Sequence, residues 1–260
     1  MDEIIRVKND GYSEYEELLL QRDNVRKEAH HWEMAYMQEF GDLITEVFEK
    51  KIICIKKKKM LAYCQTAANK GLQVEQAEMQ AFIQKEMAEY NRQLKDMIAE
   101  NDVAHSGHLI SSSTANRIKK LYHKLAKILH PDINPKTEEI PELKKLWHMI
   151  VVSYNTNDLE ELEAAEVLVM RALEEVGWES IEVEIANLPE RIEKVKTEII
   201  DIKGKNPYQY KFLLEDSDAV LEKKKSLQKE MQEYTDYEKE LDSLMEQFLT
   251  SGVSFKWTMN

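Results

Sequence analysis

The sequence predicts an all-α protein in which long, coiled-coil-like helical hairpins flank a small helical module. Only 7 Gly and 5 Pro occur among the 260 residues, and no proline precedes Pro131. The turn signals that sandwiches, barrels and doubly wound sheets need are therefore scarce. Charged residues make up 33% of the chain, as is typical of long solvated helices. Apolar residues recur at alternating spacings of three and four, which indicates helices that pack lengthwise on other helices.

Residues 1–100 predict the first helical hairpin. Apolar rows seven residues apart indicate one very long or once-broken helix over about Ser13–Ala68. A left-handed stop at Gly71 is expected to end this helix. A second apolar stripe over Ile83–Met97 predicts the returning helix, which we expect to pack antiparallel on the first.

The middle of the chain predicts a short linker followed by a compact helical module. Residues 101–113 contain Gly107 and three consecutive serines, a composition that indicates a linker. Within residues 114–175 the apolar pattern predicts three short amphipathic helices. Their expected bounds are about Thr114–Leu129, Pro141–Asn155 and Asp158–Glu175.

Residues 187–250 predict a second helical hairpin at the C-terminal end. Asn187, like Asp158 earlier, is followed three residues later by an acid, which is the spacing of a capping box. The segment Gly204–Pro207 is expected to break the helix. Beyond the break, apolar residues recur every seven positions and form an imperfect coiled-coil-like seam. Residues 251–260 are expected to form a tail.

Charge and cysteine content indicate which kinds of partner and which cellular compartment to expect. The chain has 36 basic and 49 acidic residues and a net charge of −13, which repels nucleic acid and anionic membranes on average. Cys54 and Cys64 are too few for a disulfide framework, so a reducing compartment is expected. The longest apolar runs are about four residues, far short of a membrane span. The sequence therefore predicts a soluble, cytoplasmic protein with no membrane partner.

The most informative segment is a basic helix followed by a proline-bounded loop. The predicted helix over about Thr114–Leu129 contains no acid, although the whole chain is strongly acidic. His130 ends this helix, Pro131 prevents its continuation, and Asp132 lies in the turn. The cations that give the helix its local positive face are Arg117, Lys119, Lys120, Lys124 and Lys127.

A basic helix, a His-Pro-Asp loop and a second amphipathic helix of matching length resemble the J-domain of DnaJ-type co-chaperones. Ile118–Asp132 is similar to the second helix and loop of that family, and Leu143–Tyr154 to its third helix. The resemblance covers about sixty residues, Ser112–Ala172. It implies binding to a DnaK-type heat-shock ATPase, with the basic helix on an acidic surface of the ATPase. The loop would act at the junction of the nucleotide and substrate domains, raise ATP hydrolysis and trap a client.

The resemblance also implies roles for individual residues. His130, Pro131 and Asp132 would be the signalling residues, and the five cations Arg117, Lys119, Lys120, Lys124 and Lys127 would steer the partner through charge. The protein would itself be no enzyme and would need no cofactor. Residues 101–113 lack the family's usual first helix, so we expect the helix ending near Glu100 to supply the packing that this first helix would give. The family's basic fourth-helix motif is also missing, because residues 158–175 are acidic.

Two other functions stay open on the sequence alone. The first is a coiled-coil scaffold in which a degenerate J-like module serves as a structural or protein-docking element. In the co-chaperone the helical arms would hold an unknown client, and in either case the arms could pair in a homo-oligomer. The second and weaker is nucleic-acid binding through a lysine cluster, although such runs are usually solvated helix surface. No metal site is expected, because the His pairs of the chain lack further ligands at suitable spacing. The cluster consists of Lys50, Lys51 and Lys56 to Lys59.

Overall fold

The computed structural model of the protein describes residues 5–7, 11–106, 111–175, 181–183, 187–250 and 255–256. The fold is all-α, as predicted. Two short parallel strand pairs accompany the helices in this part of the chain, β1 with β3 and β2 with β4. In chain order the elements are β1 (Ile5–Val7), α1 (Tyr12–Asn69), β2 (Val74–Glu75), α2 (Gln76–Ser106), α3 (Ser112–Leu129), α4 (Lys136–Glu139), α5 (Pro141–Asn155), α6 (Leu159–Glu175), β3 (Ile181–Val183), α7 (Leu188–Lys203), α8 (Tyr210–Leu214), α9 (Ser217–Thr250) and β4 (Phe255–Lys256).

The chain divides into two compact units, each assembled from segments that are distant in sequence. The first unit combines Met1–Trp32 with His108–Gln209, and the second combines Glu33–Gly107 with Tyr210–Asn260. Helix α1 therefore contributes its beginning to the first unit and the rest to the second. The domains predicted from the sequence are contiguous, whereas these units are not, because the apolar stripe of α1 changes partners along its length.

The core of the first unit joins the three helices of the module to α1. Buried apolar side chains of α3, α5 and α6 pack together, and Leu20 of α1 joins the same cluster. The helix that packs on the module is thus the beginning of α1. The sequence-based expectation that the helix ending near Glu100 would do so is wrong, since that helix, α2, belongs to the second unit.

A second cluster in the first unit packs α7 against α1. Leu188, Ile192, Val195 and Ile199 of α7 meet Tyr15, Leu19 and Val25 of α1, together with Ile133 from the loop after α3. The C-terminal hairpin predicted over residues 187–250 is accordingly divided between the units. Helix α7 lies in the first unit and α9 in the second. In the second unit α9 packs on α1, where Leu227 contacts the cluster of Phe40 and Val47.

The hairpin of α1 and α2 forms much of the second unit. Ile52 of α1 packs with Ile83 and Met87 of α2. Residues 107–110 lie outside the described part, and α3 begins at Ser112, so the predicted linker is wrong for residues 112–113. It is also wrong for residues 101–106, because helix α2 continues to Ser106. The reason is a close approach at Gly41, where a Cβ atom would lie 1.9 Å from Asn101 Oδ1. Asn101 Nδ2 also donates to Asp42 Oδ1 at 2.7 Å, which holds the end of α2 against α1.

The predicted helix ends have mixed outcomes. Gly71 adopts a φ of 65° just after α1, as the left-handed stop requires. The side chain of Asp158 accepts the backbone N–H of Glu161 at 2.9 Å, so this predicted cap is confirmed. Asn187 instead adopts a left-handed conformation and makes no side-chain capping bond, so the capping box predicted there is wrong. Of the predicted tail, residues 255–256 pair with β2, and the remainder lies outside the described residues.

Candidate functional site

The His-Pro-Asp tripeptide forms the turn that ends α3. The backbone N–H of His130 still donates to Ala126, but His130 itself has extended dihedral angles. Its carbonyl then accepts the N–H groups of Ile133 at 2.9 Å and Asn134 at 2.8 Å. Pro131 prevents the helix from continuing, because it has no N–H to donate. The chain therefore reverses within a few residues and leads through α4 into α5.

The turn is fixed further by bonds from its own side chains. Asn134 is fully buried and donates from Nδ2 to the carbonyl of Ile128 at 3.0 Å, which satisfies a free carbonyl at the end of α3. His130 Nδ1 accepts the backbone N–H of Asp132 at 3.1 Å. The ring of His130 packs edge-on to Trp147 of α5, with 5.0 Å between ring centroids. The loop is thus a structured element with a defined position for the His130 ring.

The imidazole of His130 is buried, which the sequence did not predict. The residue is only 4% exposed, whereas the side chain of Asp132 is 42% exposed. Nε2 of the ring lies 3.2 Å from Nη2 of Arg22 and 3.7 Å from Oδ2 of Asp23. Both neighbours belong to α1. Asp132 is therefore more exposed than His130, which is covered by the beginning of α1.

Arg22 stands at the centre of an ion-pair network around the loop. Its side chain is 9% exposed and lies within 3.2 Å of Asp23, 3.4 Å of Asp132 and 3.6 Å of Glu198. These three carboxylates come from α1, the loop and α7. A guanidinium can bind several carboxylates at once because its five N–H donors point in different directions. Arg22 therefore ties the loop to two helices of the first unit.

Two tyrosines and a lysine extend this network along the face between α1 and the module. The rings of Tyr122 and Tyr154 stack with centroids 3.8 Å apart, and the Tyr122 hydroxyl donates to Asp23 Oδ2 at 2.7 Å. Lys27 donates from Nζ to the carbonyl of Tyr154 at 2.5 Å and lies over its ring. Burial lowers the pKa of Lys27 to about 8. Polar residues of α1 therefore bind the end of α5 as well as the loop.

Two histidines of the first unit have lowered pKa values. For His130 the main cause is burial, and the nearby Arg22 adds to the effect against the opposing charges of Asp23 and Asp132. For His123, which lies beside Asn24, burial again dominates, and two lysines of α3 add to it. Both rings are consequently neutral near pH 7 in the folded protein.

The stability of the first unit is expected to fall in mild acid. An unfolded histidine has a pKa of about 6.5, so the unfolded chain takes up protons at His123 and His130 before the folded chain does. These two residues therefore destabilise the fold as the pH drops from about 6.5 towards their lowered pKa values. Urea unfolding at pH 7.5, 6.5 and 5.5 measures the trend. The variant with both His123 and His130 changed to Gln should lose less free energy of unfolding between pH 7.5 and 5.5. His148→Gln changes an exposed residue of the same unit and should behave as wild type. An equal loss in the wild type and the double variant would contradict the role of the two histidines.

The five predicted steering cations divide into two groups. Three of them form ion pairs inside the first unit, and these pairs are Arg117 with Glu163 at 2.6 Å, Lys124 with Glu166 at 2.5 Å, and Lys127 with Glu16 at 2.5 Å. Lys119 and Lys120 are exposed and have no ion pair within the described residues. The positive face predicted for α3 is thus partly neutralised by α6 and α1. Its unpaired part is the segment that holds Lys119 and Lys120.

The lysine cluster, the alternative site for nucleic acid, is partly paired with acids of its own unit. In the second unit Lys50 and Lys57 both bind Glu238, and Lys59 binds Glu86 at 2.7 Å. Half of the lysine cluster is therefore neutralised by acids of the same unit. Among the described residues no group of three or more His, Cys, Asp or Glu side chains is arranged to hold a metal ion. In the same part of the chain no helix is long and apolar enough to cross a membrane.

The sequence prediction missed Arg22 and Asp23, although one signal points to Arg22. Positions 18, 22, 25, 29 and 32 follow the alternating spacing of four and three that defines the apolar stripe of α1. Leu18, Val25, Ala29 and Trp32 fit that stripe, and Arg22 interrupts it with a charge. A charge within a buried stripe requires a partner, and here the partners are the carboxylates around the loop.

Comparisons of the chain with protein-family models, with curated proteins and with solved structures found no match.

Proposed function

We propose that the protein is a co-chaperone of the J-domain type, which stimulates ATP hydrolysis by a DnaK-type heat-shock ATPase. The observation that carries the proposal is the position of His130, Pro131 and Asp132. They form the tight turn at the end of a basic helix, and the next long helix, α5, packs back on that helix. The resemblance noted in the sequence associates this arrangement with ATPase stimulation.

Charge and exposure support the same proposal. Lys119 and Lys120 offer an exposed positive segment on α3, and the exposed part of Asp132 offers a carboxylate at the turn. A partner with an acidic surface would meet the lysines first, since charges at the rim of an interface mainly accelerate association. In this proposal the protein carries no bond-making chemistry of its own, and the helices of the second unit hold a client whose identity is open.

The direct test measures ATP hydrolysis in single turnover by a DnaK-type ATPase, with and without this protein. His130→Gln is expected to reduce the stimulation about tenfold or more, which corresponds to about 1.4 kcal/mol of lost coupling. The reason is that the proposed contact needs the imidazole itself. His148→Gln is the matched control, because His148 is exposed on α5 of the same unit. It should retain the stimulation of the wild type.

Three results would contradict the proposal: an inactive wild type, a fully active His130→Gln variant, or equal losses in the two histidine variants. Circular dichroism checks that His130→Gln keeps its helicity. If that variant does not fold, Asp132→Asn replaces it, because the Asp132 side chain is 42% exposed and tolerates substitution better. The same loss of stimulation is then expected.

Two observations favour a second function, that of a scaffold in which the module is a structural element. His130 is buried, and three of the five cations of α3 are paired within the chain. The scaffold function predicts no effect on the ATPase by wild type or by any variant. An inactive wild type with normal helicity would therefore select it over the co-chaperone function.

A further inference from the structure

The loop that carries the proposed function is covered from one side by α1. His130 is 4% exposed and lies against Arg22 of that helix. Ile133 is fully buried and packs with Leu19 and Val25. A partner that contacts the His130 ring needs this ring to be uncovered. The structure therefore describes a closed loop, and binding requires a step that opens it.

We propose that the beginning of α1, residues 12–32, is an intramolecular clamp that keeps the His-Pro-Asp loop closed through Arg22. This inference rests on the proposed function, because it assigns a regulation to the same site. The clamp is a competitor within the chain, because Arg22 binds the carboxylate of Asp132 at 3.4 Å and lies 3.2 Å from Nε2 of the His130 ring. These are two of the three predicted signalling residues.

The guanidinium of Arg22 makes the ion pairs that hold the clamp on the loop. It bridges Asp132 of the loop to Asp23 and Glu198, so three carboxylates share its single positive charge. Without Arg22 these carboxylates repel one another, and the side chain of Asp23 is only 11% exposed. An uncompensated buried charge is costly. Loss of Arg22 therefore pushes the loop away from α1 and α7.

A second polar contact holds α1 on the basic helix. Glu16 of α1 is bound to Lys127 at 2.5 Å, and its side chain is 15% exposed. An acid of the clamp thus occupies one of the cations that would face an acidic partner. The Lys127 side chain is 56% exposed, so water can replace this ion pair at small net cost. The polar edge of the clamp can open while its apolar seam, formed by Leu19, Leu20 and Val25, stays packed.

The experiment compares Arg22→Gln with Arg26→Gln in the full chain. Arg26 is the matched control, because it also binds Glu198, at 3.3 Å, but is 55% exposed and makes no described bond to the loop. Exposure of His130 is measured by its modification with diethyl pyrocarbonate, followed by peptide mass spectrometry. Exposed His148 on α5 serves as the internal reference. Stimulation of a DnaK-type ATPase is measured on the same samples.

Arg22→Gln is expected to raise the modification of His130 relative to His148 about tenfold, the factor that one charge-assisted hydrogen bond contributes. The same variant should raise ATPase stimulation about threefold or more, by increasing the fraction of open loop. Arg26→Gln should change neither quantity. Glu16→Gln, which leaves Arg22 in place, should shift both in the same direction by a smaller factor, and it remains informative if Arg22→Gln does not fold.

The outcomes separate the clamp from the proposed function. If His130 stays protected in both Arg22→Gln and Glu16→Gln, the clamp is overturned whatever the ATPase does. If the loop opens and stimulation falls below that of the wild type, Arg22 is a positioning residue and the inhibitory role is overturned. If the loop opens and neither wild type nor variant stimulates the ATPase, the co-chaperone function fails while the contact between Arg22 and the loop stands.

Discussion

Replacing Ile133 by alanine is expected to lower the free energy of unfolding of the first unit by about 2–5 kcal/mol, the usual range for a fully buried aliphatic side chain. Ile133 directly follows the His-Pro-Asp turn and is 0% exposed. It packs in the cluster that α1 and α7 form, next to Leu19 and Leu188. The substitution leaves a cavity at the point where the loop is anchored.

Urea unfolding followed by circular dichroism measures the loss, and hydrogen exchange locates it. Faster exchange is expected in the peptides that cover α3, α5 and α7. Ile200→Ala is the control, because Ile200 lies on α7 of the same unit but is 70% exposed; its effect should stay within about 0.5 kcal/mol. Equal effects of the two substitutions would show that Ile133 does not anchor the loop.

Replacing Phe40 by alanine is expected to destabilise the second unit by about 3–5 kcal/mol. Phe40 is among the largest fully buried side chains in the described residues. It lies in a cluster with Val47 of α1 and Leu227 of α9, and its ring centroid is 4.9 Å from that of Tyr36. Alanine removes the aromatic contact and opens a large cavity, because close-packed surroundings collapse only partly.

The matched control in the second unit is Phe212→Ala. Phe212 lies on α8 and is 58% exposed, so its loss should cost little. Thermal unfolding and hydrogen exchange over α9 compare the two variants. A Phe40→Ala protein as stable as Phe212→Ala would contradict the assignment of Phe40 to the core of this unit.

The sequence predicted the helices well where the signal is local. The predicted bounds of α5 agree with the observed Pro141–Asn155, because proline is favoured in the first helical turn and the apolar stripe is regular. Helix α1 was expected over Ser13–Ala68 and extends over Tyr12–Asn69. Its end is set by the glycine at position 71, whose positive φ is accessible without a Cβ.

Features that depend on distant contacts were not predictable in the same way. The end of α2 is helical because Asn101 fits against Gly41 and binds Asp42, sixty residues earlier in the chain. The sequence around Asn101 and the sequence around Gly41 and Asp42 give no indication of this contact. For the same reason the sequence predicted two hairpins, one at each end of the chain, but not that α7 and α9 each pack on α1. An apolar stripe indicates that a helix is packed but does not identify its partner.

The candidate site was predictable only in part. The tripeptide, the basic helix and the proline that reverses the chain are all local features, and the structure places them together at the end of α3. The burial of His130 and the pairing of Lys127 with Glu16 arise from α1, more than a hundred residues away in sequence. Sequence patterns indicate which side chains are charged, but the folded arrangement determines which of those charges are neutralised.

The contact between Arg22 and Asp132 has a consequence for synthesis of the chain on the ribosome. The two residues are separated by 110 positions. At a translation rate of 5–20 residues per second, the loop emerges roughly 5 to 20 seconds after Arg22. During that interval the apolar residues Tyr15, Leu19 and Val25, which are buried in the finished first unit, have no module to pack against. The nascent chain thus exposes, for seconds, an apolar stripe of the kind that holdase chaperones bind.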